Sequence, residues 1–433
     1  MKILVVGGGG REHAIVKKLY DCNVGTTALG RPHTLFAVPG NGGIAKLAKC
    51  FFDIKATDIE KIVELTKREK FDLVFVASDD PLALGLVDEL EKLGVRTFGP
   101  IKAAAELEWS KVFSKGLMKK YNIPTARYES FSNFESAADY VKSGISFPVW
   151  IKSDGLALGK GAIQAAGIGE ALDVLNDIMV NKKFGDSGKN IIIEEELVGT
   201  EITVLAFCDG KTIKPMVSSQ DHKRAFDGDL GENTGGMGAF SPSLVYTKEI
   251  ADECMKNIYL PTIEAMAKEG RKYKGVIYFQ LILTPDGPKV IEYNARFGDP
   301  EAQVVLPRLK TDFLDIINAV IDEKLDEIDI EWEENATVCV VLASGGYPGK
   351  YEKGYRIKGI DEAEKTPGIV VYHAGTAQDE NGELVTSGGR VLGVTAVDVD
   401  LPSAIKKAYG EIDKISFKDM FYRKDIGAGG QVP

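Results

Sequence analysis

The stretch from Lys289 to Glu301 reads KVIEYNARFGDPE, and the interpretation of the whole chain starts from it. A β-strand alternates its side chains between two faces, so Glu292 and Asn294 are predicted to share one face. A carboxylate and an amide oxygen at this spacing suit a hard divalent cation that is shared with the phosphates of ATP. Arg296 continues that face, where its guanidinium could hold a phosphoryl or carboxylate group. The same pattern is also typical of an ordinary strand with a polar outer face, so the flanking segments must decide.

Composition bounds the class of protein. The 433 residues are 44% hydrophobic and 27% charged, as expected for about two to four packed domains. A formal charge of −11 argues against non-specific binding to nucleic acid or to a membrane surface. The five cysteines are odd in number and contain no CxxC pair, so neither a disulfide framework nor a zinc site is indicated. With no signal peptide and no long apolar stretch, the chain is predicted to be cytoplasmic.

The alternation of apolar runs and helical patterns predicts an α/β and α+β multidomain fold. Residues 1–105 show the rhythm of a doubly wound parallel sheet, in which short apolar strands alternate with helices such as 59–69 and 82–93. Residues 106–325 are predicted to form a second domain that carries a lid at about 124–196. Its hairpin turns at Pro285-Asp286-Gly287-Pro288, and the opening stretch is the second strand. Residues 326–433 are predicted to form a small β-rich domain.

A glycine run at Gly7–Gly10 stands between a strand and a helix, where exposed backbone N–H groups favour a phosphate. The run also resembles a dinucleotide fingerprint, which needs an acidic residue at the end of the second strand. That strand instead leads into Pro39-Gly40-Asn41, so a nicotinamide cofactor is disfavoured. Arg11 fits a phosphate on a smaller molecule, and His13 is interpreted as a packing or capping residue.

Two further segments have the composition of nucleotide-binding elements. The glycine-rich tract 155–161 follows Lys152 and contains Lys160, and it could close over phosphates, although a basic hairpin is the alternative. Its residue order is not that of a P-loop. The acidic run 194–201 could be a solvated face. Alternatively, it could be a hinge whose backbone hydrogen-bonds to adenine, with Glu201 accepting hydrogen bonds from the ribose hydroxyls. The polar stretches 219–224 and 233–238 are predicted to bind substrate, with His222 equally open to a structural role.

Taken in order, the motifs resemble the phosphoribosylamine–glycine ligase family of the ATP-grasp superfamily. The resemblance covers nearly the whole chain and rests on these segments: GGREHA (9–14), PGNGG (39–43), KSDGLALGKG (152–161), SQDHKR (219–224), NTGGMGA (233–239), VIEYNARFGDPE (290–301), GGYPG (345–349), HAGT (373–376) and YRKDIG (422–427). It implies an N-terminal pre-ATP-grasp domain, an ATP-grasp core and a C-terminal domain.

The resemblance also implies an activity, which is the ATP-dependent joining of glycine to 5-phosphoribosylamine in de novo purine synthesis. Glycyl phosphate would be the intermediate, and glycinamide ribonucleotide, ADP and phosphate would be the products. Such a reaction needs no protein nucleophile, in agreement with the lack of a convincing Ser-His or Cys-His arrangement. Glycine and 5-phosphoribosylamine are the expected small-molecule partners, transient contact with neighbouring purine-pathway enzymes is the expected protein contact, and a monomer is favoured over an oligomer.

Roles carried over from the family fall on individual residues of this chain. The metal, Mg²⁺ or Mn²⁺, would be held by Glu292 and Asn294. Arg296, Lys152 and Asp221 would act in catalysis. The remaining expected contacts are with ATP (Lys111, Lys152, Gly155, Gly159, Lys160, Gly161, Glu194, Glu195, Leu197 and Glu201) and with the other substrates (Gly10, Arg11, Asp79, Lys223 and Asp299).

The chain departs from the family pattern at several positions. Asp79 stands where a glutamate is usual, and bulkier side chains replace small residues at Trp109, Leu158 and Phe226. Gln280 replaces a glycine, and if the hairpin register brings it opposite Glu292, its amide could reach the metal or a metal-bound water. Two rival hypotheses stay open at this stage, namely another ATP-grasp ligase or carboxylase and a nucleotide-binding regulatory protein that has lost catalysis.

Overall fold

The N-terminal region is built on a five-stranded parallel sheet in the order β3-β2-β1-β4-β5. This computed structural model describes residues 1–25, 33–156 and 161–428. The strands are β1 Lys2–Gly7, β2 Thr34–Pro39, β3 Lys49–Cys50, β4 Leu73–Val76 and β5 Arg96–Phe98. The apolar runs of the inner strands β1 and β4 are buried, as expected for a parallel sheet covered on both faces. Because the strand order reverses at β1, the carboxyl ends of β1 and β4 lie side by side.

Four helices accompany this sheet: α1 Gly10–Gly25, α2 Ile59–Glu69, α3 Asp79–Leu84 and α4 Leu86–Lys92. The single helix predicted over 82–93 is divided in two. The break falls at Gly85, whose φ of 88° lies in the left-handed region that a glycine adopts without strain. Gly85 therefore separates helix α3 from helix α4, although the apolar helical pattern continues across it.

The lid is a four-stranded antiparallel sheet in the order β6-β9-β7-β8. Its strands are β6 Tyr128–Phe131, β7 Val149–Ser153, β8 Ala162–Ala165 and β9 Ile191–Glu195. Helices α5 Lys102–Trp109 and α6 Lys111–Tyr121 lead to the lid, and α7 Phe134–Lys142 and α8 Ile168–Leu175 belong to it. The apolar faces of α7 and α8 pack on the lid sheet and form a core separate from the others.

The main sheet of the second domain is antiparallel, in the order β11-β10-β16-β17. Its strands are β10 Thr200–Cys208, β11 Ile213–Pro215, β16 Gly275–Thr284 and β17 Gly287–Asn294. Two helices, α9 Lys248–Cys254 and α10 Leu260–Lys268, are joined through a π-helical turn at Met255–Tyr259. The aromatic rings of Tyr259, Phe279 and Tyr293 bind this helical layer to the sheet.

The C-terminal sheet contains six strands. They are β12 Gln220–Asp221, β15 Gly238–Ser241, β18 Ala336–Ser344, β19 Ile369–His373, β22 Arg390–Asp398 and β23 Met420–Phe421. Two ribbons project from it, β13 Arg224–Phe226 with β14 Leu230–Asn233 and β20 Thr376–Gln378 with β21 Leu384–Thr386. The remaining helices are α11 Ala302–Val305, α12 Phe313–Ile321, α13 Ile360–Ala363 and α14 Leu401–Ile412.

The predicted fold class is confirmed, with a parallel N-terminal sheet, a central domain with a lid and a β-rich C-terminal part. The boundaries 1–105, 106–325 and 326–433 stay predictions. Strands β12 and β15 come from the predicted substrate loop, yet they extend the C-terminal sheet, so that loop rests on the terminal domain. Among the described residues, no helix is long and apolar enough to cross a membrane.

Candidate active site

One face of the central sheet carries the residues predicted to hold metal. The register pairs Tyr278 with Asn294 and Gln280 with Glu292 across the β16–β17 hairpin. Residues directly opposite each other in an antiparallel pair project to the same face. Glu292 and Asn294 are therefore on one face, with Tyr278 and Gln280 beside them, and we call these four residues the nucleotide face.

The donor set on this face fits a hard cation. Burial raises the pKa of Glu292, but Lys223 and Lys111 lead a group of cations that lower it below the ordinary value. Asn294 Oδ1 accepts a hydrogen bond from Arg296 Nη2 at 3.1 Å and keeps a second lone pair. The described residues contain no group of three His, Cys, Asp or Glu that could hold a metal by themselves. Phosphate oxygens of a nucleotide would therefore have to complete the coordination.

A buried ion-pair cluster stands under the base of the lid. The Glu194 carboxylate contacts Lys152 Nζ and lies 2.7 Å from Lys115 Nζ. Burial raises the pKa of Glu194, but Lys152 and Lys115 outweigh it and lower the pKa. Glu194, predicted to contact ATP, is thus the counter-ion of two lysines at the end of β9.

The base of the glycine-rich flap is tied to the start of helix α6. Asp154 Oδ1 accepts from Ser110 Oγ and from Val112 N, each at 3.1 Å, so it helps to cap the helix that Lys111 begins. Gly155 has a φ of 126°, and a Cβ there would lie 2.6 Å from Ser187 Oγ. Gly161 closes the other side, since its carbonyl accepts from Ser153 N at 2.8 Å. The predicted contacts Gly159 and Lys160, and the departure Leu158, lie outside the described residues.

The hinge after β9 borders a cavity of about 480 Å³. It is lined by Glu195, Leu197 and Val198 from the hinge and by the hairpin turn at 284–286. Glu195 is anchored there because its carboxylate accepts from Arg127 N at 2.9 Å and from Arg127 Nε at 2.8 Å. Its side chain is therefore engaged, and its backbone N–H donates to Arg127 O at 3.0 Å. The hinge backbone beyond that N–H, up to residue 197, is what remains for a base. The nucleotide face does not line this cavity.

Glu201 lies between the hinge and the nucleotide face. Its Oε2 accepts from Gln280 Nε2 at 2.8 Å and lies 4.0 Å from Lys223 Nζ. Burial lowers the pKa of Lys223, but Asp221, Glu201 and other nearby carboxylates raise it above the ordinary range. Lys223, predicted to contact phosphoribosylamine, thus has its charge partners on the nucleotide side.

Arg296 is fixed by contacts on both sides. Its Nη2 lies 2.7 Å from Glu108 Oε1, and its Nη1 donates to Phe297 O at 3.3 Å. Glu108 is itself held because Oε2 accepts from Ala295 N at 2.7 Å. Arg296 Nε is buried and has no partner in the structure, so the guanidinium retains a donor for a ligand.

A second cluster forms at the N-terminal glycine turn. Arg11 Nε donates to Glu12 Oε1 at 2.7 Å, and Arg11 Nη1 donates to Phe297 O at 3.0 Å. Glu12 also accepts from Gly9 N at 2.6 Å, which shapes the turn. Burial raises the pKa of Asp79, yet Arg296 and Arg11 lower it below its ordinary value. Arg11 and Asp79 meet because they follow the adjacent strands β1 and β4.

Asp299 joins this second cluster to the C-terminal domain. Its Oδ1 accepts from Gln303 Nε2 at 2.7 Å, and its Oδ2 lies 3.3 Å from Arg390 Nη2. Arg390 Nη1 also donates to Gly235 O at 2.7 Å, which links the substrate loop to the same point. A Cβ at Gly10 would lie 2.6 Å from Gln303 Nε2 and 3.4 Å from Asp299 Oδ1. We call Gly10, Arg11, Asp79, Asp299 and Arg390 the interdomain cluster.

Asp221 has a different acidic neighbour, Glu301. Burial, and then the charge of Asp221, raise the pKa of the Glu301 carboxyl. Glu301 Oε1 accepts from Tyr278 Oη at 2.8 Å, so this acid is tied to the nucleotide face. Gly298 makes the contact possible, because a Cβ there would collide with the Glu301 carboxylate and with the Tyr278 ring. The predicted amine-binding residues Asp221 and Asp299 therefore lie in separate settings.

Five charged residues that complete these clusters were not among the predicted site residues: Glu12, Glu108, Lys115, Glu301 and Arg390. Glu12 and Glu301 lie inside the quoted motifs GGREHA and VIEYNARFGDPE, so the motifs contained the signal. Glu108, Lys115 and Arg390 have no local sequence pattern that distinguishes them from charged residues on the surface. His13 is buried and His222 is partly buried, and desolvation holds the pKa of His222 down to about 4.

A lid with a glycine flap, a hinge and a carboxylate-amide pair on an antiparallel sheet define an ATP-grasp enzyme. Three family models match consecutive parts of the chain: the phosphoribosylglycinamide synthetase N domain at residues 1–108, its ATP-grasp (A) domain at 109–302 and its C domain at 337–429. The chain belongs to the phosphoribosylglycinamide synthetase family, whose members are also called phosphoribosylamine–glycine ligases.

Individual relatives agree with this assignment. The phosphoribosylamine–glycine ligase of Caldanaerobacter subterraneus is 46% identical over 429 residues, which cover 99% of this chain and 100% of that protein. The trifunctional purine biosynthetic protein adenosine-3 of Gallus gallus is 44% identical, over 98% of this chain and 42% of that longer protein. The crystal structure of the Thermotoga maritima phosphoribosylamine–glycine ligase has a TM-score of 0.84 at 30% identity, covering 98% of this chain and 100% of that one.

The fold is shared more widely. A biotin carboxylase from Campylobacter jejuni, solved as a β-γ-ATP complex, has a TM-score of 0.73 at 12% identity, covering 99% of this chain and 94% of that one. This similarity concerns architecture alone. The sequence-based assignment to the ATP-grasp superfamily and to this ligase family is confirmed.

Proposed function

We propose that this protein uses ATP to join glycine to 5-phosphoribosylamine, giving glycinamide ribonucleotide, ADP and phosphate in purine synthesis. The observation that carries the proposal is the position of Arg296. It bonds to Asn294 on the nucleotide face, and it also lowers the pKa of Asp79 in the interdomain cluster. A group transferred from ATP to a second substrate would pass beside this guanidinium.

The chemistry runs in two steps. A carboxylate oxygen of glycine attacks the γ-phosphorus of ATP, ADP leaves, and a mixed anhydride, glycyl phosphate, forms. The amine of phosphoribosylamine then attacks the carbonyl carbon, phosphate leaves, and a proton is released from the nitrogen. Arg296 Nε, buried and without a partner, is placed to stabilise charge on the transferring phosphoryl group. Positioning reactants in this way is worth about 7–11 kcal/mol.

The metal is proposed to be Mg²⁺ or Mn²⁺, held by Glu292 and Asn294 and by the ATP phosphates. When bound, it would neutralise phosphate charge. Lys111 and Lys152 would contact the phosphates from below the flap, and the backbone of residues 195–197 would face adenine. The Glu201 side chain is about half exposed, and its carboxylate would accept hydrogen bonds from the ribose hydroxyls.

The two amines are assigned to two acidic settings. The pair Asp221 and Glu301, next to the nucleotide face, would hold the ammonium group of glycine. Asp299, beside Gly10 and Arg11, would orient phosphoribosylamine, and the Gly10–Arg11 turn would contact its phosphate. The predicted cytoplasmic location, monomeric state and transient contact with neighbouring enzymes stay predictions.

Single-turnover trapping tests the proposal. The enzyme is mixed with ATP, Mg²⁺, radiolabelled glycine and hydroxylamine, with phosphoribosylamine left out. Glycine hydroxamate is expected at up to one equivalent per active enzyme in the first turnover, because hydroxylamine captures the anhydride. With phosphoribosylamine present, labelled glycinamide ribonucleotide should replace it. ADP release that ignores glycine, or that needs another acid, would contradict the proposal.

A further inference from the structure

Asn41 is a buried side chain that lies between the N-terminal glycine turn and the C-terminal sheet. The residue follows β2 and is 3% exposed. Its Nδ2 donates to Gly8 O at 2.9 Å and to His373 O, at the end of β19, at 2.8 Å. Its Oδ1 accepts from Gly43 N and from Ile44 N, each at 2.9 Å. The amide therefore uses both of its hydrogens and both of its lone pairs, which fixes its orientation.

The carbonyl groups that Asn41 contacts determine where the amides of the glycine turn point. In a trans peptide the C=O and the N–H point in opposite directions. Asn41 Nδ2 also lies 3.4 Å from Gly9 O, which accepts from His13 N at 3.0 Å at the start of helix α1. The Gly10 N–H, which belongs to the same peptide as Gly9 O, is therefore directed away from Asn41. The first N–H groups of a helix, here those of Gly10 and Arg11, have no partner within it and are available to an anion.

A contact between two histidines joins the same parts of the chain. His13 Nδ1, on α1, accepts from His373 N at 2.7 Å, and the ring centroids are 5.4 Å apart. Burial lowers the pKa of both imidazoles, that of His373 to about 3, so His13 is neutral and keeps its Nδ1 lone pair. A Cβ at Gly43 would lie 2.4 Å from His373 Cγ and 2.6 Å from His13 Cε1, so the approach of the two rings depends on this glycine.

These contacts involve two motifs that the proposed reaction does not use. Asn41 belongs to PGNGG (39–43), and His373 opens HAGT (373–376). Gly42 N donates to Thr376 O at 3.3 Å, and His373 Nδ1 lies 3.1 Å from Thr376 Oγ1. All of these contacts are between protein atoms. The two motifs can therefore act on a ligand through the glycine turn that they hold.

We propose that Asn41 and His13 are positioning residues for the phosphate of phosphoribosylamine. They fix the turn from Gly8 to Gly10 against the C-terminal domain, so that the N–H groups of Gly10 and Arg11 are aimed at the phosphate before it binds. Such preorganisation reduces the cost of ordering the turn on binding. Docking of the C-terminal domain thereby becomes a condition for binding the second substrate. This inference rests on the proposed ligase function.

The test uses the product glycinamide ribonucleotide, which carries the same ribose phosphate as the substrate. Its dissociation constant is measured by titration calorimetry, and that of a β,γ-methylene ATP analogue with Mg²⁺ is the internal control. In Asn41→Asp one oxygen still accepts, whereas the other cannot donate and faces two carbonyls. We expect glycinamide ribonucleotide to bind at least about tenfold more weakly and the analogue to stay within about twofold of the wild type. Asn381→Asp, at an exposed turn of the C-terminal domain, is the matched control and should leave both constants unchanged.

Two substitutions of His13 separate positioning from stability. His13→Asn places an oxygen where Nδ1 stands but lacks most of the ring, whereas His13→Phe keeps a ring and loses the acceptor. His13→Asn should bind glycinamide ribonucleotide within about threefold of the wild type, and His13→Phe should bind it at least about tenfold more weakly. His13→Asn should at the same time unfold at a lower urea concentration than the wild type, because the missing ring leaves a cavity. A merely structural role would rank the binding of the two variants by their stability.

The inference is overturned if Asn41→Asp binds glycinamide ribonucleotide within about twofold of the wild type, or if the ATP analogue loses affinity equally. Binding by His13→Phe that is as tight as binding by His13→Asn would overturn it too. A wild-type enzyme that does not bind glycinamide ribonucleotide would instead contradict the proposed ligase function. Hydrogen exchange at the Gly10 and Arg11 amides, expected to be faster in Asn41→Asp, reports on the turn without any ligand, so the two failures are separable.

Discussion

The nucleotide face and the interdomain cluster are two halves of one site, built in different ways. The nucleotide face lies on a single hairpin, in which Gln280 and Glu292 are register partners. The interdomain cluster joins residues that are far apart in the chain, since Arg11 and Phe297, which share a hydrogen bond, are separated by 286 positions. The first half follows from local strand geometry. The second exists only when three parts of the chain have packed together.

The two halves also differ in how their charges are balanced. On the nucleotide side of the site, at the base of the lid, two lysines share one buried carboxylate, Glu194. In the interdomain cluster, Arg11 is surrounded by Glu12, Asp79 and Asp299, and these carboxylates raise its pKa against the effect of burial. A cation excess suits ATP phosphates, and an acid excess suits amines. The following substitutions test how far the two halves act separately.

The largest effect is expected from Lys152→Met. The change leaves Glu194 buried with Lys115 as its single cation, and breaking a buried ion pair costs about 3–5 kcal/mol. The free energy of unfolding, measured by urea titration, should fall by that amount, and ATP affinity should fall with it. The double variant Lys152→Met/Glu194→Gln should recover much of the stability, and Lys189→Met, in an exposed pair, should change little. Full stability in the single variant would mean that the cluster is not a dry ion pair.

Arg296→Met should reduce kcat/KM by about 10²–10³-fold, the usual cost of removing one charge-stabilising donor. ADP formation in the presence of both co-substrates is the readout. Because Arg296 touches both halves of the site, the loss should appear for glycine and for phosphoribosylamine alike. Arg356→Met, an exposed arginine of the C-terminal domain, is the matched control. A defect confined to one substrate would assign Arg296 to a single half.

Arg390→Met should act on the interdomain cluster alone. It removes the hydrogen bonds to Gly235 O and Asp299 O, each 2.7 Å, and leaves the Asp299 carboxylate without its guanidinium. Losing charged hydrogen bonds of about 1.5–3 kcal/mol should raise the KM for phosphoribosylamine at least about tenfold. The dissociation constant of the ATP analogue, measured by calorimetry, serves as the internal control and should not move. Equal losses for both ligands would show that the two halves are mechanically coupled.

The smallest effect concerns Glu301 and pH. Its pKa is raised in the folded protein, so the folded state retains a proton that the unfolded state has released. Stability should therefore be complete below the ordinary glutamate pKa and should decline as pH rises toward the raised pKa, by at most about 1.4 kcal/mol per pH unit. Urea titrations across this range should show the decline in the wild type and lose it in Glu301→Gln. If the unfolding free energy of Glu301→Gln declines with pH as in the wild type, the proton responsible is held by another group.

The hairpin shows how much the sequence could predict. Period-two alternation and the turn at Pro285–Pro288 were sufficient to bring Glu292 and Asn294 to one face, because strand geometry is local. The helix predicted over 82–93 shows the limit, since Gly85 interrupts a pattern that is apolar on both sides. For Lys223, motif order suggested the phosphoribosylamine site, whereas the charges that act on it most strongly are those of Asp221 and Glu201. Strand β12, which comes just before Lys223, joins the C-terminal sheet. That pairing decides whether Lys223 faces the nucleotide or the second substrate.

The sequence by itself determined the family, the ATP-dependent ligase chemistry and the carboxylate-amide pair on one strand, because these depend on motif order and on short-range periodicity. Tertiary structure alone decided that Glu194 neutralises two lysines, that Arg390 ties Asp299 to the substrate loop, and that Glu301 rather than Asp299 accompanies Asp221. The reason is physical: the pKa and partner of a charged group depend on burial and on neighbours brought from distant segments, and no local pattern encodes either.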